Sequence, residues 1–207
     1  MTLLRTSFLN GIAVIIKMLT LLGINKMLAI YVGPSGYAAL GQFQNAVQMV
    51  TTFSTGAISN GVTKYTAEYN DDEEAQRRVW RTAGTIAFIG SVVTSVLIVC
   101  FSKPLAVLCF NDESLYSVFI WCAATVVFFS FNTLLLAILN GKKEISRYIL
   151  ANIGGSLLSL LVTIVMVVQY GLYGALISLV LYQSIAFFVT CLLCYKTAWF
   201  RFSNLLG

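Results

Sequence analysis

YILANIGGSLLSLLVTIVMVVQYGLYGALISLVLYQSIAFFVTCLLCY, residues 148–195, contains no Asp, Glu, Lys or Arg. A helix needs about 20 apolar residues to cross a hydrocarbon core of about 30 Å, so this run is long enough to cross twice. The glycines of Tyr170-Gly171-Leu172-Tyr173-Gly174, near its middle, mark the expected turn. Shorter charge-free runs precede it, Ser114 to Gly141 and Thr82 to Ser102. Met27 to Thr63 is also uncharged, but Gly33-Pro34-Ser35-Gly36 interrupts it with residues that favour a tight turn over continued helix. One helix therefore precedes that turn and another follows it. The reading predicts an all-α integral membrane protein with six spans, at about 7–31, 36–62, 82–102, 115–139, 149–168 and 173–194.

Composition points the same way. Of 207 residues, 58% are hydrophobic and 10% charged, with a mean hydropathy of +0.86, where an ordinary soluble domain carries roughly 25% charge. So few charges cannot coat a soluble domain of this size, which excludes a soluble enzyme, a nucleic-acid-binding domain and a disordered tail. The net charge of +5 follows from topology rather than from a nucleic-acid partner. Arg5, Lys64, Arg77, Arg78, Arg81, Lys142, Lys143, Arg147, Lys196 and Arg201 fall on one set of connections, and Lys103 alone on the other. By the positive-inside rule both termini are expected in the cytoplasm. No signal-peptide pattern precedes the first helix, which is expected to be retained.

The longest hydrophilic connection, Lys64 to Arg81, reads as a solvated cytoplasmic elbow. Asn70 or Asp71 is placed to cap a short helix there, with Glu73–Arg77 and Glu74–Arg78 as supporting pairs four residues apart. Cys191 and Cys194 form a Cys-x-x-Cys pair, yet with no His in the chain they read as buried thiols on a helix face, and no metal or cofactor is expected.

All eight acidic residues lie outside the predicted spans. Proton relays and sodium sites usually need an intramembrane carboxylate, and membrane enzymes usually need His, Asp or Glu, so the pattern speaks against an enzyme. Two cations enter the first span, Lys17 and Lys26. Lys17 is roughly 15 Å from either end of its helix at about 1.5 Å per residue, too far for easy snorkelling. A central lysine costs about 2.5–3.5 kcal/mol on insertion scales, which calls for a hydrated cavity, an anionic ligand or a bond to neighbouring carbonyls. Lys26 is nearer the outer interface, where snorkelling serves equally well. The two would share one cavity only if the helix bent, and Gly23 permits a bend.

The second span is too polar to face lipid all round. Gln44, Gln48, Thr52, Thr55 and Ser59 recur at helical spacing, a stripe that either lines a cavity or joins helices. The third to sixth spans look like apolar scaffold. A path beside the first two helices, with a cation and no opposing carboxylate, suits a phosphate or carboxylate group on the substrate.

Three stretches carry a family resemblance: Lys26-Met27-Leu28-Ala29-Ile30-Tyr31-Val32-Gly33-Pro34-Ser35-Gly36, then Gly41-Gln42-Phe43-Gln44, and then Asn60-Gly61-Val62-Thr63-Lys64-Tyr65-Thr66-Ala67-Glu68-Tyr69. Together they resemble the Wzx-type O-antigen and enterobacterial common antigen flippases of the multidrug/oligosaccharidyl-lipid/polysaccharide exporter superfamily. The resemblance implies translocation of undecaprenyl-pyrophosphate-linked oligosaccharide units across a bacterial inner membrane, within the lipid bilayer and beside polysaccharide polymerase machinery. It also implies two six-helix lobes around a cavity lined by the first two helices of each, with Lys17 and Lys26 as the basic residues near the pyrophosphate. Gln44, Gln48, Thr52 and Thr55 are the accompanying candidates for contact with substrate. The chain corresponds to the N-terminal lobe, so a fragment, a pair of copies or a separate second lobe is expected. A cation-coupled drug exporter half and a non-transporting scaffold subunit of polysaccharide assembly are the alternatives.

Overall fold

A computed structural model describes residues 3–55, 58–195, 197, 199, 200 and 205; the basic residues Lys196 and Arg201 lie outside this set. In chain order the helices are α1 (Leu3–Tyr31), α2 (Gly33–Thr55), α3 (Ile58–Glu68), α4 (Glu73–Cys100), α5 (Ser102–Phe110), a 3-10 turn (Glu113–Leu115), α6 (Tyr116–Gly141) and α7 (Ile145–Tyr195). No strand occurs among the described residues. Among the described residues four helices are long and apolar enough to cross a bilayer: α1 from Val14, α4, the 3-10 turn with α6, and α7. With the composition, they make this a multi-pass membrane protein. The polar stripe of α2 keeps that helix below the same apolarity.

The two predicted turns form where glycine allows them. Gly33 adopts φ 73° between α1 and α2, and Gly171 adopts φ 55°, ψ −130° inside α7, a region that costs other residues a Cβ clash. Gly171 folds α7 into two arms, 145–170 and 172–195. The pairs Gly174–Met166, Gly155–Ala186 and Gly154–Val189 then run in opposite chain order, as in an antiparallel hairpin. A Cβ on Gly174 would lie 1.9 Å from the Met166 carbonyl oxygen, so no other residue fits there unchanged. Close backbone approach over small residues is the general means of packing helices in lipid, where hydrophobic burial gives little net drive.

The elbow differs from the sequence expectation. Only Tyr69 to Asp72 is non-helical, and Asp72, not Asn70 or Asp71, is the cap: its side chain accepts from the Ala75 N–H at 3.0 Å. The pairs Arg77–Glu73 (3.0 Å) and Arg78–Glu74 (3.7 Å) form on exposed first turns of α4, which is a continuous long helix rather than a short helix before a span. The opposite face is buried. Trp80 Nε1 donates to Thr66 Oγ1 and Gln76 Nε2 to the Thr66 carbonyl, both at 2.8 Å. Lys142 sits over the Trp80 ring, and Trp199 packs on it and donates to Glu144 Oε1 at 2.8 Å. Glu144 also accepts from Arg147. The Asn60–Tyr69 motif is thus the joint between α3, α4 and α6, with Thr63 Oγ1 donating to the Ser59 carbonyl of its own helix at 2.8 Å and reaching the Ala137 carbonyl of α6 at 3.2 Å.

Two apolar clusters hold the bundle. One gathers Leu28, Leu40, Phe43, Val118, Phe119 and Leu176; the other gathers Val62, Trp80, Leu134, Leu135, Ile138 and Phe187. Buried polar side chains accompany them: Ser54 in α2, Ser130 and Asn132 in α6, Ser184 and Thr190 in α7. Ser54 and Ser130 share a hydrogen bond of 3.0 Å, which satisfies both hydroxyls in the absence of water.

Candidate functional site

Two grooves meet at Lys17. The first, of about 240 Å³, lies between α1, α2 and both arms of α7, and is lined by Lys17, Thr20, Asn25, Gln44, Ser156, Ser159, Thr163, Ser178 and Tyr182 with apolar neighbours such as Leu28 and Leu40. The second, of about 200 Å³, lies between α1, α6 and the arms of α7, and its polar lining is Lys17, Asn132, Thr133, Asn152, Ser156, Tyr182 and Thr190. Lys17, Ser156 and Tyr182 belong to both.

The expected site residues separate. Lys17 and Gln44 share the first groove, and both are exposed. Lys26 is exposed but lines neither groove. The helix continues unbroken through Gly23, where an added Cβ would lie 3.4 Å from the Leu160 side chain of α7, so Gly23 serves packing here. Gln48 and Thr52 are exposed farther along α2, beyond the grooves. Thr52 and Thr55 donate to carbonyls of their own helix, those of Gln48 and Thr51, at 2.7 Å each. The stripe therefore does not join helices within this chain at Gln44, Gln48 or Thr52.

The expectation of apolar scaffold from the third span onward is corrected by α6 and α7, which carry most of the polar lining. Asn152, Ser156, Ser159 and Thr163 fall at spacings of four, three and four, and Ser178, Tyr182, Ala186 and Thr190 at four throughout. These stripes were readable at helical period. They are diluted by apolar neighbours, while the α2 stripe stands in a run of polar residues.

Chemically, the site combines one cation with hydroxyls and amides, with no carboxylate among the described lining residues. Such a lining takes an anionic group at the lysine and neutral polar groups beside it. Among the described residues no cluster of three metal-ligating side chains occurs.

Residues 3–206 match the profile of the family described as polysaccharide biosynthesis protein. The chain belongs to that family. Two relatives of this member are called Lipid III flippase, one from Escherichia coli (strain K12) and one from Shigella flexneri. Each is 27% identical over 181 residues, covering 87% of this chain and 44% of the relative. The fold is similar to a crystal structure of a proline-to-alanine mutant of a MATE protein, with TM-score 0.68 at 20% identity, over 93% of this chain and 45% of the other. The chain thus spans somewhat less than half the length of the proteins it matches.

Proposed function

We propose that this chain is one lobe of a translocator that flips undecaprenyl-pyrophosphate-linked oligosaccharides of the O-antigen type across the bacterial inner membrane. It crosses the bilayer six times, α2 with α3 forming the second crossing and the arms of α7 the last two, with both termini in the cytoplasm. The observation that carries the reading is the exposed Lys17, in the middle of a mainly apolar helix, at the meeting point of two grooves that carry polar side chains in their walls. Its ammonium neutralises the pyrophosphate while the lipid tail stays in the bilayer. Gln44 contacts the bound head group, and the exposed stripe of Gln48 and Thr52 faces the second lobe across the path. Thr55 holds its own helix. A second lobe closes the cavity, and rocking of the two lobes changes its access. The relatives' names and the shared half-length support the same division of labour.

The test is Lys17→Ala in the chain expressed together with its second lobe, read as surface polysaccharide at matched protein level. A charged hydrogen bond is worth about 1.5–3 kcal/mol, so transport at limiting substrate should fall roughly 10- to 100-fold. Lys26→Ala, outside the grooves, should change it less than about twofold, and an unaltered rate with Lys17→Ala would falsify the role of the lysine.

A further inference from the structure

We infer that the second groove is a monosaccharide subsite, which receives the sugar ring bonded to the phosphate held by Lys17. The inference rests on the translocator reading but adds a ligand, a place and a set of residues to it.

The groove is built for a neutral ligand rich in hydroxyls. Its volume of about 200 Å³ is room for roughly six or seven waters at about 30 Å³ each, or for one pyranose ring. Asn132, 6% exposed, stands at its wall. Thr190 Oγ1 lies 2.8 Å from Asn132 Oδ1 and 2.9 Å from the Ala186 carbonyl oxygen. Thr190 thus donates to Asn132 Oδ1, which holds the Asn132 amide in place and leaves its N–H groups for a further partner. Asn152 donates to the Tyr148 carbonyl through Nδ2 at 2.8 Å and keeps its carbonyl oxygen and second N–H for the groove. Thr133 points its hydroxyl to the Phe129 carbonyl at 3.1 Å and keeps its lone pairs.

The wall thus offers both donors, on Asn132 and Asn152, and acceptors, on Asn152 and Thr133, as sugar hydroxyls require, since each both gives and accepts. Among the described lining residues Lys17 alone is charged, and it is shared with the first groove. A glycosyl phosphate has the same layout, an anion at one end and a neutral polyol beside it. Buried polar groups left unpaired by an apolar or smaller ligand cost about 1–3 kcal/mol each, which makes such a recess selective for a ring that reaches them.

Binding to the chain in lipid nanodiscs tests the subsite, with inorganic phosphate, inorganic pyrophosphate and the 1-phosphates of glucose, galactose and N-acetylglucosamine as probes, followed by NMR. At least one sugar phosphate should bind tenfold or more tighter than inorganic phosphate. Asn152→Leu and Asn132→Leu should remove that preference and leave phosphate binding within about twofold; Asn152, which makes only one bond within its own helix, keeps the test valid if Asn132→Leu fails to fold. Lys17→Gln should weaken every probe. Sugar phosphates that bind no tighter than phosphate, or a preference that survives Asn152→Leu, overturn the subsite and leave the lysine site standing. Absence of all binding, or binding unchanged by Lys17→Gln, overturns the lysine site and the subsite with it.

Discussion

Trp80→Phe removes one N–H from the buried joint at the elbow, and the structure predicts both its cost and its dependence on Thr66. Trp80 is 2% exposed and Thr66 0%, so the Thr66 hydroxyl cannot replace the 2.8 Å bond from the indole with water. A stranded buried polar group costs about 1–3 kcal/mol, and the smaller ring also loosens contact with Trp199 and Lys142. Trp80→Phe should therefore destabilise by about 2–4 kcal/mol. Thr66→Val keeps the shape that faces Gly141 but strands the indole N–H, for about 1–3 kcal/mol. The double variant strands neither group and should cost at least about 1 kcal/mol less than the sum of the single losses. The assay is unfolding of the purified chain in one detergent, by denaturant for the cycle and by heat as a check, at about 2–4 °C per kcal/mol for a chain of this size. Losses that add to within about 0.3 kcal/mol would show that the bond contributes no coupling, and would refute this account of how α3 and α4 are joined.

At the α7 turn, Gly174→Ala should lower the melting temperature by several degrees, because its Cβ would lie 1.9 Å from a backbone oxygen that cannot rotate away and overpacking costs about 1–3 kcal/mol; a melt equal to that of the parent would mean that the two arms are not in contact there. In the α5–α6 connection, the Ser114 hydroxyl and N–H hold the Asp112 carboxyl below its ordinary value, so its capping is complete above the ordinary carboxylate range near 3.9 and is lost as pH falls through its own lower value. Side-chain carboxyl NMR should place the Asp112 midpoint below about 3.9, and a midpoint above it contradicts the cap. Lys103, raised by its 2.9 Å pair with Glu113, should keep its charge until pH exceeds the usual lysine value of about 10.4, with the pairing present below and lost above, as a Lys Nζ titration would show. For topology, single cysteines at Asn111 and Asp71 in a cysteine-free background should react with an impermeant reagent from opposite sides, Asn111 from the periplasm; labelling of both from one side contradicts the six-crossing arrangement.

Hydropathy and charge are local quantities, and what depends on them was legible in the sequence. The membrane class follows from the low charge and the long uncharged runs. Gly33 and Gly171 marked the two tight turns because only glycine enters that backbone region without strain. Lys17 stood out because a charge in mid-helix is costly wherever its neighbours lie. The cap was misplaced by one or two residues because Asn70, Asp71 and Asp72 are all good capping residues, and the choice falls to the chain direction set by the buried Thr66–Trp80 joint. Lys26 was set apart from Lys17 already by its place nearer the outer interface and by the bend that a shared cavity requires, and in the structure it lines neither groove. The polar lining of α6 and α7 is the larger difference. Asn132, Asn152 and Thr190 are isolated polar residues in apolar runs, each consistent by itself with a bond inside its own helix, and no linear pattern says that they face one recess. That depends on the hairpin at Gly171 and on how its arms pack against α1 and α6. The sequence by itself determined a helical membrane protein with one anomalous cation, because solvent preference is written residue by residue; the tertiary structure alone decided what surrounds that cation, because a groove is a relation between side chains that only packing brings together.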